Sequence, residues 1–309
     1  MRKNSGTDKW NNRSTAKAVR LLHSFRAPRM NWLAALWLLT FAACYEPREG
    51  CLDLRATNFD VGADNPCPDD CCEYPLLRLA MEHKMVYTDT SFNLNYNDST
   101  YTDGAGNPFR LADIQFYLSN LRLVRADGSE AAPTDSSEVT IFNPDGLREP
   151  GQLSNNFALL NRRIFTLATL GTLITEGRFT AVRFTLGVPE AAGRVVLNSL
   201  PTAHPLANPE MYLTPDSGYI FNRLRWFNGA DTVAQALRIA TPVHLREVEL
   251  PLNANLLEGF DIRLTLRCDY RRWFANVNLR NDPPAILATK LADNAANSFS
   301  VVSVFLEIQ

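Results

Sequence analysis

The 309-residue chain has little net charge and few cysteines, and each shortage excludes a class of protein. Its 31 basic and 33 acidic residues give a net charge of −2. This excludes a basic protein that coats nucleic acid and a highly charged disordered chain. Six cysteines are too few for a fold held by disulfides alone. With 46% hydrophobic residues, the sequence predicts a globular protein with a sizeable core.

The sequence also lacks the motifs of common catalytic sites. It has no Gly-x-Ser-x-Gly nucleophile motif, no glycine-rich phosphate loop and no His-Glu-x-x-His zinc motif. We therefore expect a binding protein and not an enzyme. The basic pairs Arg162-Arg163 and Arg271-Arg272 are isolated on an acidic background, so we expect no nucleic-acid partner.

The first 43 residues have the features of a secretory signal peptide. Residues 1–29 hold eight basic residues and one acidic residue, and residues 32–43 include eleven apolar residues among twelve. A basic segment, a short apolar run and small residues at its end are the parts of such a signal. The run is shorter than the roughly 20 residues that span a bilayer. A buried core helix is the alternative, and a start at Met30 would place residues 1–29 upstream of the protein.

Cys44 follows this run in a context that resembles the lipobox of bacterial lipoproteins, whose cysteine is acylated and becomes the new N-terminus. The segment reads Phe41-Ala-Ala-Cys44, with Phe41 in place of the usual Leu. Acyl chains contribute about 0.8 kcal/mol per buried CH₂, so two or three of them anchor a protein stably. The resemblance implies a lipid-anchored protein of the cell envelope, on the outer membrane or a periplasm-facing membrane, with residues 44–50 as a tether. A plainly secreted protein with Cys44 in a disulfide is the alternative.

Four cysteines crowd into a module over residues 51–75. Export would place them in an oxidising compartment, where disulfides form. Cys51, Cys67, Cys71 and Cys72 allow three pairings, which sequence alone does not decide. We favour Cys51 with Cys72 and Cys67 with Cys71, because a bond between the neighbours Cys71 and Cys72 would strain the backbone.

Acidic residues of the same module are candidate ligands for Ca²⁺, which prefers carboxylate oxygens. Their spacing is not that of an EF-hand loop, and the alternative is that they are solvated turn formers. These acids are Asp53, Asp60, Asp64, Asp69 and Asp70.

From residue 76 onward, short apolar or β-branched runs alternate with turn signals, a pattern typical of strands. Helical periodicity is confined to residues 161–175 and 284–298. The pattern predicts a mainly β fold, an antiparallel two-sheet β-sandwich with one or two short helices, as one domain over residues 76–309. The predicted strands are 76–87, 91–95, 114–124, 139–142, 179–186, 219–226, 236–239, 245–250, 261–268 and 301–308.

Residues 109–123 read Phe-Arg-Leu-Ala-Asp-Ile-Gln-Phe-Tyr-Leu-Ser-Asn-Leu-Arg-Leu. This segment resembles the hallmark of the MbnP-like domain, named for a copper-binding protein associated with methanobactin. The resemblance implies a periplasmic or surface-exposed β-rich domain. It also implies a copper site of histidines and a tryptophan, which a partner di-haem enzyme of the MauG type oxidises to kynurenine. Supporting segments are 204–206, 211–212, 217–221, 269–274 and 290–299.

The same resemblance points to His83 and Met81 as candidate copper ligands, with His204 as a further candidate. Met81-Glu-His83 stands where copper-binding members have Trp-x-His, so Met81 occupies the tryptophan position. No histidine lies at residues 140–142, where the second family histidine is expected. Imidazole is a good copper ligand, and a thioether favours Cu(I). The alternatives are that His83 is a hydrogen-bonded strand residue and that His204 caps local backbone.

The sequence therefore favours an extracytoplasmic, lipid-anchored binding protein that is related to copper but has a degenerate metal site. The alternative function is a surface lipoprotein with a structural or interaction role, which recognises a protein or a glycan without metal. Cys268 lies in a predicted strand and is interpreted as a buried free thiol.

Overall fold

The strand pattern folds into two large β-sheets and three two-stranded ones, in a computed structural model that describes residues 45–163, 167–214, 217–240 and 242–308. The predicted signal peptide and Cys44 lie outside the described residues. The chain from Pro47 onward forms one compact unit. Within the described ranges, no helix is long and apolar enough to cross a membrane.

The structure consists mainly of short strands, with three α-helices and several 3₁₀ turns in the described part of the chain. The strands are β1 (Glu49–Gly50), β2 (Asn65–Pro66), β3 (Leu76–Val86), β4 (Ser91–Asn93), β5 (Tyr101–Thr102), β6 (Pro108–Val124), β7 (Glu130–Ala131), β8 (Ser136–Phe142), β9 (Arg148–Ser154), β10 (Phe157–Asn161), β11 (Ala168–Thr172), β12 (Gly177–Leu186), β13 (Tyr212–Thr214), β14 (Gly218–Tyr219), β15 (Asn222–Asn228), β16 (Gln235–Ile239), β17 (Arg246–Leu256), β18 (Asp261–Asp269) and β19 (Phe299–Glu307). The helices are α1 (Glu190–Gly193), α2 (Tyr270–Trp273) and α3 (Pro284–Ala296), and the 3₁₀ turns are Pro68–Asp70, Leu197–Ser199, Pro205–Ala207, Pro209–Met211 and Pro242–His244.

The larger sheet has eight strands and the smaller sheet has five. The larger sheet runs β16-β15-β6-β12-β17, and the short strands β5, β7 and β10 also pair with β6. The smaller sheet runs β11-β3-β18-β19, with β4 paired to β3. Side chains of both sheets pack into one hydrophobic cluster, so the predicted two-sheet sandwich is confirmed.

The long strand β6 sends alternate side chains to two hydrophobic clusters. Phe116 belongs to the cluster between the sheets, which we call the inter-sheet core and which also holds Leu79 and Leu266. Its neighbour Tyr117 belongs to a second cluster, which we call the outer core. Because successive side chains of a strand point to opposite faces, this one strand forms part of both cores. The outer core consists of Tyr117, Val139, Leu153, Phe157, Val188, Ala192, Val195, Leu200, Leu206, Met211, Tyr219, Ile220 and Phe221.

The hallmark segment ends in a β-bulge. The pairing of β6 with β12 shifts register where Asn120 and Leu121 stand opposite Phe184, and Asn120 has φ 53°. Asparagine tolerates this left-handed conformation better than most residues. The buried Asn156 side chain bonds the Leu121 backbone, accepting from its N–H at 3.1 Å and donating to its carbonyl at 2.8 Å. The hallmark therefore encodes a fixed bend in the central strand.

The sequence predicts antiparallel sheets, but the sheets also contain parallel pairs. Strands β3 and β18 pair in parallel, and so do the two-residue strands β1 and β2. A parallel pair needs a long crossover connection. Here the whole larger sheet forms in the chain between β3 and β18, and no local pattern reveals such a pairing.

The helix predicted at residues 161–175 is wrong. Asn161 ends strand β10, and Ala168–Thr172 is strand β11, which pairs with β3; residues 164–166 lie outside the description. Gly171 has φ 125° and lies at a register shift of this pair, a conformation that a helix does not contain. The second predicted helix, 284–298, is confirmed as α3.

Two strand predictions also need correction, and one strand was missed. The predicted strand 219–226 is divided into β14 and β15, and β6 begins six residues before the predicted residue 114. Strand β9 was not predicted, because its sequence Arg-Glu-Pro-Gly-Gln-Leu-Ser is polar and contains proline. It forms by pairing with β8 in a hairpin.

Candidate functional site

The parallel pair β3 and β18 brings together side chains that are far apart in sequence. His83 is the register partner of Cys268, and Met81 is the register partner of Leu266. His83 and Cys268 are both buried, and Met81 packs partly buried against the inter-sheet core. All three side chains therefore lie on the inner face of the smaller sheet, near the carboxyl ends of the two strands.

His83 is fixed by a tyrosine from the start of α2. Its Nδ1 lies 2.7 Å from the Tyr270 hydroxyl, and the two rings are stacked with centroids 5.7 Å apart. Burial, with a smaller contribution from the nearby Arg162 guanidinium, lowers the pKa of His83 to about 4. The imidazole is therefore neutral at physiological pH, the form that coordinates metals.

A second group of polar side chains surrounds Cys268. Its Sγ lies 3.6 Å from Ser298 Oγ, and the Tyr270 side chain is a further neighbour that lowers the pKa of the thiol. Trp273 Nε1 donates to the same Ser298 Oγ at 2.7 Å. Burial raises the pKa of the Cys268 thiol to about 12, although these neighbours favour the thiolate. The free buried thiol predicted from the sequence is present, but its surroundings are polar.

A groove of about 650 Å³ opens beyond the carboxyl ends of β3 and β18. Tyr87 lines it and forms an edge-to-face pair with Phe92, with ring centroids 6.1 Å apart. The Arg271 guanidinium lies over the Tyr87 ring at 4.9 Å. Asp269 fixes the groove wall by accepting from the backbone N–H of Val86 at 3.1 Å and of Arg271 at 3.0 Å.

His204 lies in the outer core, so the structure does not bring it to His83. It precedes the 3₁₀ turn Pro205–Ala207, and its Nδ1 accepts from the Leu206 backbone N–H at 3.1 Å. Its ring contacts Phe157, with centroids 5.7 Å apart. Burial lowers its pKa, and the Ser154 backbone partly offsets that effect. This geometry agrees with the alternative interpretation, in which His204 caps local backbone.

The cysteine module contains the two favoured disulfides. Cys51 is bonded to Cys72 and Cys67 to Cys71, with Cα–Cα distances of 5.0 Å and 5.9 Å. The first bond closes the module and the second closes a single turn.

Two of the candidate calcium ligands are engaged by arginines. Asp53 pairs with Arg55 at 2.7 Å, and Asp60 pairs with Arg48 at 3.2 Å. The Arg55 hydrogen bonds hold the pKa of Asp53 well below its usual range. Over the described residues, no three or more His, Cys, Asp or Glu side chains form a group suited to a metal. The calcium site stays a prediction.

The sequence pointed to His83 and Met81 but not to their neighbours Tyr270 and Cys268. Tyr270 belongs to the segment 269–274, which supported the family resemblance without any assigned role. Cys268 lies two residues before it. Only the register of β3 against β18 reveals that these residues face His83.

Comparison with known protein families agrees with the hallmark segment. The MbnP family model matches residues 75–289. Among solved structures, the chain is similar to MbnP from Methylosinus trichosporium, at 12% sequence identity and a TM-score of 0.34, over 75% of this chain and 98% of that one. A likeness at that score adds no argument of its own. Among curated proteins, none matches the chain. Because the family model covers more than half of the sequence, the chain belongs to the MbnP family.

Proposed function

We propose that the protein is an extracytoplasmic, lipid-anchored binding protein that holds copper at His83, with Met81 beside it. The observation that carries this proposal is the neutral His83 imidazole, whose Nδ1 is fixed by Tyr270 at 2.7 Å. Metal-binding histidines are commonly oriented by such a hydrogen bond on the other ring nitrogen. In this role the protein binds its ligand and does not transform it.

The donor set fits copper in its reduced state. Imidazole nitrogen and thioether sulfur are ligands that Cu(I) accepts, and Met81 lies two residues from His83 on the same strand face. When His83 donates its Nδ1–H to the Tyr270 oxygen, Nε2 keeps its lone pair. Among the described residues, we find no hydrogen bond to that Nε2, so it is the atom we assign to the metal.

The proposed site differs from the family pattern. Met81 stands at the tryptophan position, so a di-haem partner of the MauG type would find no tryptophan to oxidise there. His204 belongs to the other core and is left out of the site. We therefore propose a reduced copper site that depends on one histidine and on sulfur.

Copper titration of the purified full-length protein tests this function. We expect one Cu(I) per chain at micromolar metal, and loss of that binding in His83→Ala. The matched control is His244→Ala, because His244 lies in the Pro242–His244 turn, away from the β3–β18 pair. Absence of bound copper in the wild-type protein, or equal losses in both variants, would overturn the proposal.

The anchor has a separate test. In Cys44→Ser, the thiol that would carry the acyl chains is gone, so we expect the protein to move from the membrane fraction to the soluble fraction. Unchanged membrane retention would contradict lipid anchoring and leave the copper proposal intact.

A second candidate function is recognition of a glycan or a protein at the groove beyond β3 and β18. Its support is the aromatic pair Tyr87 and Phe92, with Arg271 over Tyr87, because aromatic faces and arginines are common at recognition surfaces. Phe92 is 59% exposed.

Binding of the full-length protein to a panel of glycans and envelope proteins tests this alternative. We expect Phe92→Ala to weaken binding, whereas Phe305→Ala, which removes an equally exposed ring (59%) from β19, should not. Equal effects of the two variants would contradict a specific groove.

A further inference from the structure

We propose that the groove beyond β3 and β18 binds an acidic glycan, whose uronic acid carboxylate is held by the Arg271 guanidinium. This inference rests on the second candidate function proposed above, recognition at that groove, and names the class of its ligand. In the sequence, Arg271-Arg272 is only an isolated basic pair. The structure places both arginines at the groove, beside an aromatic side chain.

The groove has the size and the hydroxyl groups that a sugar requires. Its volume of about 650 Å³ lies within the roughly 300–1,000 Å³ of small-molecule sites. Residues from the end of β3, from β5 and from α2 line it. Three exposed threonines are among them, namely Thr88, Thr100 and Thr102. Their hydroxyls can both donate to and accept from the hydroxyls of a glycan.

The two acidic residues that line the groove are engaged by the protein itself. Asp103 is buried, and its two carboxylate oxygens accept from the backbone N–H groups of Asn107 at 2.8 Å and of Leu279 at 2.9 Å. Asp269 accepts from two backbone N–H groups through one oxygen, and its other oxygen lies 3.4 Å from Arg272 Nε. These carboxylates therefore hold the groove wall and the second arginine in place.

Arg271 is the cation of the groove that lacks an acidic partner. Within the described ranges, its guanidinium makes no ion pair and no hydrogen bond, although it lies 4.9 Å from the centre of the Tyr87 ring. Stacking on the ring orients the guanidinium plane, and the N–H donors lie in that plane. The planar fork of an arginine matches the two oxygens of a carboxylate. The groove therefore presents an oriented carboxylate receptor.

The aromatic rings beside Arg271 favour a sugar over an acidic peptide. Phe92 is 59% exposed and packs edge-to-face against Tyr87, so its ring extends the wall of the groove into solvent. A pyranose has a flat face of C–H groups that packs on such a ring, and a uronic acid carries its carboxylate on the same unit. An acidic peptide offers the carboxylate without that flat face.

Calorimetric titration of the full-length protein with oligosaccharides of galacturonate, of alginate and of hyaluronate tests the inference, in buffer without divalent cations. We expect at least one of them to bind, and its affinity to fall as salt is added, because the pair is partly exposed. The matched ligand is the methyl ester of the same oligosaccharide, which keeps the sugar chain and removes the charge. We expect esterification to weaken binding by about tenfold or more, the cost of losing a charged hydrogen-bond partner.

Variants of the arginine provide the matching change on the protein. Arg271→Gln should weaken binding of the acidic oligosaccharide by about tenfold or more and leave binding of its ester unchanged. Arg271→Lys should recover only part of that loss, because an ammonium lacks the planar fork. The control is Arg238→Gln, which removes the same charge from an exposed position on β16 and should bind as the wild type does.

The outcomes separate this inference from the recognition function on which it rests. Equal binding of the acid and its ester would overturn the carboxylate receptor and leave glycan recognition standing. Equal losses in Arg271→Gln and Arg238→Gln would also overturn it, because net charge would then explain the effect. Binding of polyglutamate as tight as that of the glycan would replace the glycan by an acidic peptide. Absence of binding to every glycan and envelope protein would overturn both proposals.

Discussion

The inter-sheet core and the outer core meet at strand β6, and each contains one buried histidine. In the inter-sheet core, His83 projects from a regular strand and is oriented by the Tyr270 side chain. In the outer core, His204 projects from an irregular segment and accepts from the Leu206 backbone. Both side chains are more than nine-tenths buried, so burial alone does not tell them apart.

The difference lies in what each ring does for its surroundings. His204 supplies an acceptor to a turn that would otherwise leave a buried N–H without a partner, so its role is to hold the backbone. Among the described residues, the His83 ring makes no hydrogen bond to the backbone and is itself held by Tyr270. A side chain fixed by others on rigid strands is the arrangement expected of a binding residue.

The largest effect on stability is expected from removing the Phe116 ring, which β6 contributes to the inter-sheet core. Phe116 packs against Trp273 and Phe299, with ring centroids 5.2 Å and 6.0 Å away. We expect Phe116→Ala to lower the free energy of unfolding by about 3–5 kcal/mol, measured by urea denaturation. A loss below about 1 kcal/mol would mean that the inter-sheet core does not depend on this strand.

Substituting His204 should separate stability from metal binding. His204→Ala removes the cap of the Pro205–Ala207 turn and should cost about 1–2 kcal/mol, a typical value for a lost cap. Copper binding should stay at the wild-type level, because the ring lies in the outer core. A loss of copper comparable to that of His83→Ala would place both histidines in one site and remove the distinction between the cores.

A smaller effect is expected from the hydroxyl that links β6 to the same turn. Tyr117 donates to the Pro205 carbonyl at 3.1 Å. Tyr117→Phe keeps the ring in the outer core and deletes this hydrogen bond, so we expect a loss of about 1 kcal/mol in urea denaturation. No measurable change would indicate that the turn is held by packing and by His204 alone.

The smallest expected effect is on pH dependence. Burial lowers the pKa of His204 below its ordinary value of about 6.5. At a pH between the folded and the unfolded pKa of this ring, the unfolded chain therefore binds more protons than the folded one. This contribution to stability is complete above about pH 6.5 and is lost as the pH falls. His204→Asn keeps a capping acceptor without a titrating group, so its stability should fall less than that of the wild type between pH 7 and pH 5. Parallel curves would contradict this assignment, since the other titrating groups are common to both proteins.

The periodicity of apolar residues predicted the strands and helices that bury one face in the core. It missed the strands that form because they pair with a neighbouring strand. Alternation located β3 within one residue, and the apolar stripe of α3 was equally clear. Strand β9 is polar and exists through its hairpin with β8, which no local propensity indicates. The helix expected at residues 161–175 failed because pairing with β3 outweighs a weak periodicity.

The candidate site divides in the same way. His83 and Met81 lie close in sequence at the position of a family motif, of which His83 is kept and Met81 replaces the tryptophan, so the sequence was sufficient to propose them. Cys268 and Tyr270 face His83 through the register of two strands that are 185 residues apart. Local sequence patterns do not predict the register between two strands so far apart in the chain.

The parallel pairing of β3 with β18 also sets the order of events as the protein folds. Strand β3 is among the first parts of the domain to be synthesised, yet its central neighbour ends at Asp269. Folds dominated by such distant pairings form slowly. Until β18 is available, β3 has an unpaired apolar edge that invites aggregation. The smaller sheet therefore cannot be completed before β18 is available, and a chain cut short before residue 261 would lack the strand that pairs with β3 beside His83.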